Sequence, residues 1–192
     1  MGLFHRGPRT EPVLLLVTLN DRLMPLQRGA RYEDPLDELL RDAKLGQVAG
    51  GGTLQQRTGE IATVDIEVSL REGSPETVAL VVEALERLGA PRGSSYSLDG
   101  VRADFGSTEG LGLYVNGTDL PPEVYAASDI NGVIARLEVL VADAGELHGT
   151  WEGESETGVY FYGPSYAAML DRIRAYVDET PLLERARVEQ VA

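Results

Sequence analysis

His148 is the one histidine beyond the first ten residues of this 192-residue chain. It is therefore the one side chain there whose ordinary titration falls near neutral pH. The segments around it read as strands, so alternation decides what it sits beside. Along residues 145–152, His148, Thr150 and Glu152 share one side, and Leu147, Gly149 and Trp151 the other. Tyr160 and Tyr162 oppose Val159 and Phe161, and Tyr114 opposes Leu113 and Val115. If the apolar sets face helices, Tyr114, His148, Thr150, Tyr160 and Tyr162 form an open aromatic and polar sheet face. Such a face could stack a planar ligand or anchor a protein, since tyrosine supplies contact area at little entropic cost. With His148 as general base, helped by Tyr162 or a carboxylate, it could also act on a small substrate. The competing expectation is that the face is packed against the first half's sheet.

Two acidic groups invite similar questions. Asp65 and Glu67 lie two apart on a strand and point the same way, with Glu60 nearby. Paired carboxylates can bind a divalent cation or serve as acid and base, although a solvated strand face is the commoner reason for them. Trp151-Glu152-Gly153-Glu154-Ser155-Glu156 reads as a hairpin connection. It is either a solvated turn or an acidic finger, Glu152, Glu154 and Glu156 with Trp151 as anchor, presented to a basic groove. The run Gly50-Gly51-Gly52-Thr53 lacks the lysine and following helix of a phosphate loop, and reads as a bulged strand or flexible hairpin.

No nucleophile elbow, HExxH, Walker or GxGxxG pattern occurs, and there is no cysteine. No cofactor or metal site is expected. Enzyme activity is left undecided, with a non-enzyme favoured.

The elements that must carry these residues repeat. Val13–Leu19 reads as a buried strand, Asp34-Pro35 opens a helix, and Ile61–Leu70 alternates as a strand. A helix follows from Ser74-Pro75, and a short edge strand near Ser95. After Gly110 the same order returns: strand, helix from Ser128 or Asp129, two strands, helix from Ser165, and a final strand. Two βαββαβ units in tandem predict an α+β protein with antiparallel sheets, a duplicated ferredoxin-like fold. The expected units are residues 11–99 and 109–192. Residues 100–108 form the connecting loop, and residues 1–10 are a candidate disordered tail.

Charge narrows the partners. The net charge is −14, and the chain after Phe105 holds 15 acidic and 5 basic residues. That balance argues against nucleic acid and for a basic protein partner. No apolar run approaches the ~20 residues of a membrane helix, and a cytoplasmic location is expected. In Tyr32-Glu33-Asp34-Pro35-Leu36, Asp65-Ile66-Glu67-Val68 and Trp151-Glu152-Gly153-Glu154 the chain resembles bacterial toxin-immunity proteins. That resemblance implies an acidic, non-enzymatic protein-binding module that occludes the basic site of a partner. The alternative is a small-molecule binder or sensor using the cleft or sheet face between the halves.

Overall fold

The computed structural model describes residues 11–192, so the candidate tail lies outside the described residues. The first half runs β1 (Val13–Leu19), α1 (Pro25–Arg28), α2 (Asp34–Asp42), β2 (Gly46–Gln55), β3 (Ile61–Leu70), α3 (Pro75–Arg87), β4 (Ser94–Leu98) and β5 (Val101–Phe105). The second runs β6 (Glu109–Asn116), α4 (Pro122–Ala127), α5 (Ile130–Val141), β7 (Glu146–Glu152), β8 (Glu156–Gly163), α6 (Tyr166–Glu179) and β9 (Arg187–Gln190). The sheet orders are β2-β3-β1-β4-β5 and β7-β8-β6-β9. Without β5 the two orders are the same, and the strands pair antiparallel throughout. The protein is thus α+β, a tandem repeat of two ferredoxin-like units.

Each sheet buries one face under its own helices. Leu15, Val17 and Leu19 meet Ile66, Val68 and Leu70, and pack on Leu36, Leu40, Val81 and Leu85. Leu111, Leu113, Val159 and Phe161 pack on Leu137, Val141, Met169 and Ile173. β1 is not the doubly buried strand its apolar run suggests. Leu14 and Leu16 point away from the helices and are 55% and 39% exposed.

Residues 101–105, expected within the connecting loop, form a fifth strand against β4. The chain leaves it through Gly106 at φ +101, where a Cβ would collide with the Pro91 carbonyl. The Gly106 N–H donates to Glu86 at 3.1 Å. Gly106→Ala is expected to cost about 2 kcal/mol through a strained φ plus that collision. Gly100→Ala, at φ +81 but in open space, should cost less. Chemical denaturation of both variants checks the ranking, and equal costs would remove the collision from the account.

The glycine run lies in β2, with a bulge between Val48 and Gly50. A Cβ at Gly51 would collide with Glu33 and press on Arg28. Arg28 is buried there, donating to Glu33 at 2.7 Å, the Gly52 carbonyl at 2.7 Å and Thr53 at 2.8 Å. The glycines admit an internal ion pair.

Candidate functional site

The tyrosine face of the second sheet is closed by the first half. Its partner is the turn after β1 and the start of β3, in place of the expected first sheet. His148 and Tyr114 are each 5% exposed, and Tyr160 and Tyr162 each 1%. Glycines make the room: a Cβ at Gly110 would meet Tyr162, at Gly112 Tyr114, and at Gly158 Tyr160. The rings therefore lie across the sheet where side chains would otherwise stand.

Two polar clusters hold this junction. In the first, one oxygen of the fully buried Asp21 accepts from the Tyr32 hydroxyl at 2.8 Å and contacts His148 Nδ1 at 2.8 Å. The other Asp21 oxygen has no protein partner among the described residues. His148 stacks on Tyr162 at 4.4 Å, and its Nε2 lies 3.7 Å from Glu146, which also binds Arg31 at 2.9 Å. The backbone N–H of Arg22 donates to the Tyr162 hydroxyl at 3.2 Å. In the second cluster, one oxygen of buried Glu60 accepts from Tyr114 at 2.8 Å and Tyr160 at 2.9 Å. Arg22 lies 3.7 Å from the same oxygen and donates to the Ala62 carbonyl.

Burial makes phenolate formation costly in this setting. The Tyr114 hydroxyl is pushed up to about 12, chiefly by burial and then by its hydrogen bond to Glu60. Tyr32 and Tyr162 are also raised, by burial and the Asp21 charge, and Tyr160 by burial with Tyr114 and Glu60 beside it. His148 has the orientation of a triad base, with a carboxylate on Nδ1. It also lines a groove of about 350 Å³ with Glu146, Asp143 and Tyr162. Its side chain is only 1% exposed, however, and each of its polar neighbours is already in the junction. The arrangement supports joining the halves before it supports proton transfer.

The other candidates lie elsewhere. A bulge between Leu147 and Gly149 reverses the alternation of β7. As a result Trp151 joins the tyrosine side, packed on the Tyr114–Tyr160 pair near Gly59. Thr150, expected on that side, is exposed opposite Val159. Trp151 thus covers the junction, and the tip it was expected to anchor leaves Glu152 and Glu154 exposed. Glu156 instead binds Arg187 at 2.9 Å, and Arg187 stacks 4.2 Å above the Tyr114 ring. Asp65 and Glu67 stand on the solvent face of the first sheet. Thr18 donates to Asp65 at 2.7 Å, Glu67 pairs across from Leu16, and Gly52 and Gly50 flank them on β2. Among the described residues no group of three His, Asp or Glu converges as a metal site, and no helix is long and apolar enough to cross a membrane.

No family model and no curated protein matches the chain. Solved structures resemble it in fold alone. One is a Fusobacterium nucleatum protein described as a candidate monooxygenase, at 9% identity and TM-score 0.33, over 94% of this chain and 91% of that one. Another is the first two RRM domains of the yeast poly(U)-binding protein, at 11% and 0.26, over 93% and 99%. A third is the regulatory subunit of Thermus thermophilus aspartate kinase, at 13% and 0.28, over 85% and 92%. None is a toxin-immunity protein, and likeness of this degree transfers no function.

Asp21, Arg22 and Tyr32 carry the junction, yet sequence reasoning passed over Asp21 and Arg22 and took Tyr32 only as part of a family resemblance. Asn20-Asp21-Arg22 looks like an ordinary polar turn. The one available signal was the glycine spacing around Tyr114 and Tyr160, which marks rings lying flat on a sheet.

Proposed function

We propose that the protein is a non-enzymatic acidic binding module that covers a basic surface of a partner protein, as an inhibitor or immunity protein would. The observation that carries this reading is the open face of the first sheet. Leu14 and Leu16 lie exposed there in a row with Glu67 and Asp65 alongside. Single exposed leucines are ordinary, but two on one sheet face with carboxylates along the β3 side suit an apolar contact with a charged rim. The net charge of −14 would speed association with a basic partner and discourage nucleic acid. In this reading Leu14 and Leu16 supply the buried contact. Trp151 and the four junction residues Tyr114, His148, Tyr160 and Tyr162 hold the shape, while exposed Glu152 and Glu154 add to the acidic surface.

Capture from the native lysate at low salt tests this. A basic protein should be retained by the wild type, released as salt rises, and lost with Leu16→Arg and with the pair Asp65→Lys, Glu67→Lys. Retention of the same protein by both variants would remove the sheet face from the account. A second reading, small-molecule binding at the junction, is favoured by the groove that His148 and Tyr162 line. A partner lost on Leu16→Arg separates the two, because Leu16 does not line that groove.

A further inference from the structure

An acidic chain has reason to scatter its few cations, yet three converge on one concavity. α2 ends at Asp42, and Lys44 turns the chain through the left-handed region at φ 57. Gly46 then opens β2 directly opposite Leu70, at the end of β3. A Cβ at Gly46 would collide with the Ser69 carbonyl, so the close approach of the strands needs glycine there. The Arg71 N–H donates to the Leu45 carbonyl at 2.8 Å, which ties the end of β3 to the turn after α2. Between them lies a pocket of about 490 Å³ lined by Pro12, Arg41, Lys44, Gln47, Ser69 and Arg71, with no carboxylate in its lining among the described residues.

The charges there are only partly answered. Arg41 binds Asp37 at 2.5 Å, and that bond holds the Asp37 carboxyl below its ordinary range. Lys44 and Arg71 make no ion pair among the described residues. Arg41 and Lys44 complement the negative end of α2. Arg71 comes from a different element, so the helix dipole does not account for it.

We propose that this pocket binds a small phosphorylated ligand. Lys44 and Arg71 meet the phosphate with charge-assisted hydrogen bonds, and Gln47 and Ser69 add neutral donors. The volume falls in the range of small-molecule sites, roughly 300–1,000 Å³. It exceeds a bare phosphate, so the ligand carries an organic body. The acidic surface beyond the pocket disfavours an extended polyanion. This site borders the sheet face proposed above, where Ser69 pairs with Leu14, but it rests on Lys44 and Arg71 and not on that reading.

The test is calorimetric titration of the intact protein with pyrophosphate at constant ionic strength. Saturable one-to-one binding is expected. Lys44→Gln and Arg71→Gln should each weaken it about tenfold, the loss of one charge-assisted hydrogen bond. Arg136→Gln, on the exposed side of α5, should leave it unchanged. Both pocket side chains are exposed, so the variants should melt as the wild type does. The proposal is overturned by heats no larger than those of potassium chloride, or by binding that both substitutions leave intact. It is also overturned by a single-stranded oligonucleotide that binds where pyrophosphate does not.

Discussion

Asp21→Ala is expected to lower the stability of the protein by about 2–6 kcal/mol, the cost of leaving two buried hydrogen-bonding groups unmet at about 1–3 kcal/mol each. Asp21 is fully buried and serves two partners at once, Tyr32 from its own half and His148 from the other. Alanine leaves a phenol and an imidazole in the interior without an acceptor, and each unmet group carries its own desolvation cost. The loss is also architectural, because the aspartate is where the turn after β1 grips β7. For a chain of this length each kcal/mol moves the melting temperature by about 2–4 °C. Asp21→Asn keeps the shape and one carbonyl acceptor, so it should cost about half as much. Urea unfolding of the two variants beside the wild type is the measurement. A loss under about 1 kcal/mol for alanine would mean that water already satisfies His148 and Tyr32, and the latch would be abandoned.

Alkaline pH should open the same junction more sharply than a mutation does. Tyr114 is held neutral up to about 12, and Tyr32, Tyr160 and Tyr162 are raised as well. In the unfolded chain each ionises near 10. The folded values lie above the unfolded ones, so the unfolded state releases its protons first. The neutral phenols stabilise the fold fully below pH ~10, and that contribution falls as pH rises toward the folded values. Each tyrosine adds a slope of about 1.4 kcal/mol per pH unit, and four together about 5. A domain of ordinary stability, about 5–15 kcal/mol, should therefore unfold within roughly one to three units above pH 10. Tyrosinate absorbance from these four of the eight tyrosines should rise in one step with the loss of circular dichroism. Full ionisation of all eight while the dichroism stays native would show that the junction is wet.

How much of this was legible depends on whether the deciding contacts are local. The alternation Val64, Ile66, Val68, Leu70 marked β3 and its buried face, and the structure buries all four. Ser74, Asp129 and Ser165 cap the helices that follow them by accepting from Thr77, Asn131 and Ala168. β1 was harder. In VLLLVTL every position but Thr18 is apolar, so periodicity cannot tell a doubly buried strand from one with an open face. What leaves Leu14 and Leu16 exposed is that the second half docks on the turn after β1 and leaves the sheet face open. β7 failed for another reason. One bulge residue exchanges the sides of every residue after it, and nothing in Leu147-His148-Gly149 announces it.

The sequence by itself determined the two βαββαβ units, the starts of α3, α5 and α6 and the acidic balance of the surface, because period, caps and composition act over a few residues or over none; Asp34, expected to open a helix, instead continues a helical run begun at Pro25. Only the tertiary structure decided that the tyrosine face is closed, that Asp21 and Glu60 close it, and that the leucine face and the pocket beside Lys44 stay open. Asp21 and His148 stand 127 residues apart. Their meeting depends on how two finished halves pack, and no local pattern records that.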